Sequence, residues 1–170
     1  HIHYFNDLVK LVFGKKKIKT VFEIGGGFGS LARIILNNYD CKFFSIDLPE
    51  ANLLTSYYLH ESLSPKKIYT YDNYLKEKDG FVSFNSIENF DIFILPPWAK
   101  FNDELKIDLF INTRSMVEME FAVIKKYFND SLSARSSPVF FCLPPDACPR
   151  VQVAGKHPFS TNLFFARATF

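Results

Sequence analysis

Apolar residues along the chain fall into short runs that alternate with stretches of helical spacing, which predicts an α/β fold with a mostly parallel sheet. Val21, Phe22 and Ile24 suit a buried strand, because β-branched and aromatic side chains pack well on a pleated surface. Leu31, Ile34 and Ile35 then recur at helical spacing, so the period changes across residues 25–29. Cys41 to Asp47 reads as a second buried strand, and Pro49 suits the first turn of a helix that carries Leu53, Leu54, Tyr57 and Tyr58 to about Leu63. Lys66 to Asp72 offers another short strand, whereas residues 73–89 read as polar and irregular, with Gly80 as a turn. Asp91 to Leu95 is a strand stopped by Pro96 and Pro97, since proline cannot continue a central ladder.

Asp108 to Thr113 and Pro138 to Leu143 are the next strands. Between them, Ser115 and Glu118 have the spacing of a capping box, which predicts a helix through Met119, Val123, Ile124 and Tyr127. Val151 to Ala154 and Leu163 to Phe170 are the last candidate strands. At the other end, residues 3–13 put Tyr4, Phe5, Leu8, Leu11 and Val12 on one helical face, and Gly14 is a stop. Residues 1–19 therefore read as a leading helix and connector.

Composition narrows the class without changing the fold. The 170 residues fit a single domain, and 48% hydrophobic with 22% charged residues is ordinary globular material. Twenty phenylalanines require an aromatic interior. The net charge of +2 advertises no nucleic-acid partner, and Lys15, Lys16 and Lys17 read as a solvated connector. Cys41, Cys142 and Cys148 are odd in number and lack C-x-x-C spacing, which points to reduced thiols in a cytoplasmic protein rather than a disulfide frame or a zinc site. No apolar run approaches the roughly 18 residues of a membrane span. The chain begins at His1 inside a helical pattern, so a fragment of a longer protein is expected.

The chemistry concentrates where the period changes. Gly25, Gly26, Gly27 and Gly29 fall within five residues, more than a plain turn needs. Without a Cβ, glycine takes positive φ and lets a ligand lie against bare backbone. A dinucleotide fingerprint would place its third glycine at Ser30, where it lets the helix pack on the strand. The frame that fits is acidic-x-Gly-x-Gly-x-Gly, formed by Glu23, Gly25, Gly27 and Gly29. Asp47 ends the second strand 22 residues after Gly25, where nucleotide-binding α/β folds accept hydrogen bonds from ribose hydroxyls; it equally suits a helix N-terminus.

The glycine frame resembles motif I of the class I S-adenosylmethionine-dependent methyltransferases. Their cofactor carries a sulfonium and an ammonium, which a carboxylate at the loop can serve, and has no pyrophosphate for a helix N-terminus to neutralise. Three further stretches, Ser45 to Glu50, Ile94 to Pro97 and Asp108 to Met119, are similar to the bacterial sugar O-methyltransferase family. The likeness covers roughly residues 20–145. It implies a Rossmann-like class I methyltransferase fold, a mostly parallel seven-stranded sheet with helices on both faces, in the order 3-2-1-4-5-7-6 with one antiparallel strand near the edge. It also implies S-adenosylmethionine as cofactor, held by Glu23, Gly25, Gly26, Gly27, Gly29, Asp47 and Leu48, and a sugar hydroxyl of a glycan or glycoside as methyl acceptor.

Methyl transfer from a sulfonium is an in-line displacement, so positioning supplies much of the acceleration and a general base helps a weakly nucleophilic hydroxyl. Glu118 is the first candidate base, ahead of His60 and His157, with Asn112 and Ser115 to orient the acceptor. Each has a structural reading too: Glu118 as part of the capping box, Asn112 and Ser115 as partners of backbone groups at a turn, His60 as a surface residue. Trp98 suits either stacking on adenine or substrate, or a hydrophobic cap. No spacing predicts a metal site. A nicotinamide-dependent oxidoreductase shares the Asp47 spacing, and a non-catalytic domain that keeps the fold is a third reading; the oligomeric state is open.

Overall fold

The computed structural model describes residues 6, 13, 17–101, 105–113, 115–124, 139–143 and 163–164. In chain order these form β1 (Thr20–Ile24), α1 (Ser30–Asn38), β2 (Lys42–Ile46), α2 (Pro49–Ser62), β3 (Ile68–Tyr69), α3 (Tyr71–Tyr74), α4 (Phe84–Asn89), β4 (Ile92–Leu95), β5 (Leu109–Thr113), a 3₁₀ helix (Ser115–Glu118), β6 (Val139–Leu143) and β7 (Leu163–Phe164). The strand order is β3-β4-β2-β1-β5-β6-β7, and every pairing among the described residues is parallel. The first strand is central, as the cofactor assignment requires.

Five of these strands run four or five residues; β3 and β7 are two-residue pairings at the flanks. Over its 3-2-1-4-5 part the order agrees with the expected one once β4 is taken as the third main strand, β5 as the fourth and β6 as the fifth, with β3 added outside. The antiparallel edge strand is not found among the described residues. The leading helix and the candidate strand at 151–154 fall outside them.

Successive strand residues point to opposite faces, so each face has its own core. On one, Val21, Phe43, Ile92, Ile94, Leu109 and Ile111 meet Leu31, Ala32, Ile35 and Leu36 of α1 and Leu59 of α2. On the other, Phe22, Phe44, Phe93 and Phe110 stand side by side in register across four strands. Phe44 stacks on Phe93 with ring centroids 4.4 Å apart, and Phe22 stacks between Phe44 and Phe110 at 6.1 and 5.9 Å. Phe101 closes this row edge-on, 5.5 Å from Phe22 and 5.7 Å from Phe44. Helices thus cover both faces, α1 and α2 on the first, and α3, α4 and the 3₁₀ helix on the second.

Two local expectations are corrected. Residues 75–83 are irregular and Gly80 has positive φ, as expected, but the two ends of the stretch are helical: Thr70 and Asn73 form a capping box for α3, and the Ser83 hydroxyl accepts from Ser86 N to cap α4. Glu77 joins the two, its Oε1 accepting from Tyr69 Oη, Ser83 Oγ and Ser86 Oγ at 2.8, 3.2 and 2.7 Å. Second, the helix expected from Ser115 to Tyr127 is broken within the described residues: a 3₁₀ turn ends at Glu118, and residues 121–124 are helical separately, while 125–127 lie outside the described residues. The helix expected after Pro49 is present, and α2 buries Asn52, Thr55 and Leu59 while Leu53, Leu54 and Tyr57 are exposed.

Candidate functional site

In a parallel sheet all strands end at one edge, and ligands of open α/β folds bind there. The glycine loop after β1, Asp47 after β2 and Pro96 to Trp98 after β4 share that edge. Gly25, Gly27 and Gly29 all have positive φ, at 70°, 61° and 89°. Close packing adds to the demand at Gly25, where a Cβ would lie 2.1 Å from Ser115 Oγ. Beneath Gly26, a Cβ would lie 2.5 Å from Glu23 Oε2 and 3.3 Å from Ser45 Oγ. A Cβ on Gly27 would meet nothing within 4 Å, so the space over that residue is open.

Asp47 is turned toward the loop. Its Oδ2 accepts from Gly27 N at 2.9 Å and its Oδ1 from Leu48 N at 2.8 Å. The carboxylate keeps further lone pairs for a ligand. Thr55 Oγ1 lies within hydrogen-bond reach of both Gly27 O and Ala51 O and shares its one proton between them, and Asn52 Nδ2 donates to Asp47 O at 2.8 Å. These two α2 residues therefore hold the loop and the strand end together. Leu48 and Phe28 stand exposed at the rim, and the Phe28 ring meets Tyr58 edge-on at 5.3 Å.

Glu23 is 1% exposed, and neither carboxyl oxygen has a hydrogen-bond partner among the described residues; the same holds for the Ser45 hydroxyl beside it. Burial first, and then the nearby Asp47 charge, push the Glu23 carboxyl up to about 8. The group is thus mostly protonated at neutral pH. An unpartnered buried carboxyl under a loop of bare backbone is the arrangement a cationic ligand would complete. Glu23, the glycines and Asp47 therefore fit the charge and shape of a sulfonium-bearing nucleoside.

The expected acceptor-side residues lie differently from one another. Asn112, buried, donates from Nδ2 to Ile24 O at 2.9 Å and to Ser115 Oγ, while its Oδ1 accepts from Met116 N. Ser115 Oγ in turn donates to Ile24 O at 3.0 Å. This knot joins β5 to the end of β1 under Gly25, so Asn112 and Ser115 shape the loop from below. Ser115 is thereby engaged across the sheet rather than at a helix N-cap, which is why the capping box does not form. Glu118 ends the 3₁₀ turn exposed. His60 is exposed on α2, and His157 lies outside the described residues. Trp98, half exposed, donates from Nε1 to Tyr71 Oη at 3.3 Å and meets that ring edge-on.

Sequence reasoning missed Ser45, Asn52 and Thr55. Their signal was present: Ser45 is the one hydroxyl in the run Lys42–Ile46, and Asn52 and Thr55 recur three apart on a helix otherwise rich in apolar residues. Cys41 is buried with its thiol pushed up to about 12, chiefly by desolvation, which keeps it protonated and inert. Among the described residues, no three metal-capable side chains converge, and no helix is long and apolar enough to cross a membrane.

No protein-family model matches the sequence, and no curated protein matches it either. Among solved structures, the X-ray structure of YjhP from E. coli is similar, with a TM-score of 0.50 at 13% identity. The match covers 82% of this chain and 47% of that one, so the chain spans about half the length of YjhP. At that identity the likeness is one of fold: the chain has a Rossmann-like α/β fold.

Proposed function

We propose that the chain is an S-adenosylmethionine-dependent methyltransferase domain that transfers a methyl group to a sugar hydroxyl. The observation that carries the reading is the cradle itself: a glycine loop with three positive φ values, braced by Asp47 and set over the buried carboxyl of Glu23. Asp47 has acceptor capacity left for ribose hydroxyls, the Gly26–Gly27 backbone offers a surface free of side chains, and the buried carboxyl of Glu23 lies beneath it. When bound, S-adenosylmethionine supplies an electrophilic methyl group for in-line displacement.

The sugar assignment rests on the likeness of residues 108–119 to the sugar O-methyltransferases. In this reading Glu118 takes the proton of the acceptor hydroxyl as the new bond forms, and Asn112 and Ser115 position the loop against which the cofactor lies. Equilibrium titration tests the cofactor: S-adenosylhomocysteine is expected to bind in the micromolar range with no response to NAD. A response to NAD alone would replace this reading with an oxidoreductase. A panel of glycosides with labelled cofactor then tests the acceptor, and label transferred to none of them would remove the sugar.

A further inference from the structure

Ordering a glycine-rich loop is costly, because glycine loses more backbone freedom on folding than any other residue. With four glycines in residues 25–29, the order of this loop depends on contacts from outside it, and one stripe of α2 supplies them. Gly27 is exposed, yet both of its backbone polar groups are engaged: the N–H donates to Asp47 Oδ2 at 2.9 Å, and the carbonyl accepts from Thr55 Oγ1. Asn52 fixes Asp47 in turn, donating from Nδ2 to its carbonyl at 2.8 Å. A Cβ on Gly29 would lie 3.0 Å from Thr55 Cγ2 and 3.2 Å from Leu59 Cγ, so the Thr55 methyl and Leu59 fill the space beside that residue. Positions 52, 55 and 59 recur at helical spacing, and all three are buried. A threonine inside a helix ordinarily returns its hydroxyl to the carbonyl four residues back, here Ala51 O at 2.9 Å. Having one proton, Thr55 serves the loop at the expense of that bond.

We propose that Thr55 and Asn52 form a clamp that sets how tightly the glycine loop binds its ligand, by holding Gly27 and Asp47 in place before the ligand arrives. Both are positioning residues: they act through the loop backbone and through Asp47, and their own contact with a ligand is not required. Preorganisation of this kind raises affinity because the ordering cost is removed from the binding step. The two carbonyls within reach of Thr55 Oγ1 define two states. With the proton on Gly27 O the loop is held; with the proton on Ala51 O the helix keeps a bond and the loop alone is released. The apparent dissociation constant rises in inverse proportion to the held fraction. One hydrogen bond of ordinary net strength corresponds to roughly three- to tenfold in that fraction. Loop order does not depend on ligand charge, so the factor is the same for the sulfonium cofactor and its thioether product.

The inference rests on the S-adenosylmethionine reading for its ligand, whereas the order of the loop is measurable on the ligand-free full chain. Thr55→Val keeps the shape and the methyl beside Gly29 but removes the hydroxyl, and Thr55→Ser keeps the hydroxyl. Amide hydrogen exchange at Gly27 and Gly29 is expected to quicken roughly three- to tenfold in Thr55→Val and to return toward wild type in Thr55→Ser, with the amides of β1 and β2 unchanged. Calorimetric titration should show Thr55→Val weakening S-adenosylmethionine and S-adenosylhomocysteine by the same factor, with a less favourable binding entropy, and Thr55→Ser restoring both. A merely structural threonine would lower the melting temperature without this local exchange or the rescue. Wild-type affinity in a folded Thr55→Val, or weakening of one compound only, would overturn the proposal and leave the cofactor in place. Should Thr55→Val not fold, Asn52→Ala tests the clamp from the Asp47 side: both measurements are expected to move in the same direction, and movement in neither would overturn it. If neither compound binds the wild type, the cofactor reading falls and the effect on affinity with it, while the exchange rates still report whether Thr55 holds the loop.

Discussion

The row Phe93, Phe44, Phe22, Phe110 and the row Ile94, Ser45, Glu23, Ile111 lie one residue apart along the same four strands and face opposite sides of the sheet. In the first, each ring meets another ring of the chain, and Phe101 seals the stack. In the second, the two middle positions hold polar groups that no described residue satisfies. The aromatic row is completed by folding. The polar row is not, and it sits directly under the loop with the most restricted backbone. A completed core and an unsatisfied polar pair are thus segregated by a single step along the strand, because a one-residue step inverts the face.

Removing a ring should break the first row most severely. Phe44→Ala deletes contacts to Phe22, Phe93 and Phe101 and is expected to cost about 3–5 kcal/mol in denaturant unfolding, with a lower midpoint and an unchanged slope. The second row gives a pH effect of comparable sign but different origin. Because the folded carboxyl of Glu23 is raised from 4.5 to about 8, the folded state binds more protons between those values. Stability is then fullest below about pH 4.5 and falls as pH rises toward 8, by a few kcal/mol for this group, with Glu23→Gln removing the slope. Melting temperature against pH for both proteins measures it, and identical slopes would place the proton elsewhere.

Glu23→Leu sharpens the contrast by carrying the apolar pattern through the second row. It is expected to stabilise the ligand-free protein by roughly 1–3 kcal/mol, since an unsatisfied buried polar group is removed, and to abolish S-adenosylmethionine binding in the same calorimetric assay. Least affected in stability should be Glu118→Gln, within about 0.5 kcal/mol for an exposed residue. Its methyl-transfer rate should nevertheless fall about a hundredfold or more if Glu118 is the base, at unchanged cofactor affinity. An unchanged rate would leave Glu118 as a surface residue.

The elements were legible where one residue property decided the structure. Strand positions such as Ile92–Leu95 are uniformly apolar and end in prolines, and four glycines mark the loop by steric need alone. Asp47 could be placed from spacing, because a strand end and a loop are fixed relative to each other in a parallel unit. What escaped was decided by tertiary partners. Ser115 satisfies the local pattern of a cap, yet its hydroxyl goes to Ile24 O on another strand. The helix after Pro49 was legible but its inward face was not: α2 turns Asn52 and Thr55 inward, where they donate to Asp47 O and Gly27 O. The helices at Tyr71–Tyr74 and Phe84–Asn89 carried cap signals, Thr70 with Asn73 and Ser83 with Ser86, in a stretch too polar to show helical periodicity.

The Ile24 carbonyl also sets an order of events during synthesis. Its two side-chain donors, Asn112 and Ser115, lie 88 and 91 residues further along the chain. The glycines and Asp47 are made early and close together, whereas the floor of the cradle waits for a distant strand, and such non-local pairing forms slowly. A ribosome-bound chain that stops short of Asn112 carries the recognisable motif without the surface that supports it. Such a chain should gain cofactor affinity abruptly, over the few residues that complete β5 and the turn after it, and not in proportion to its length.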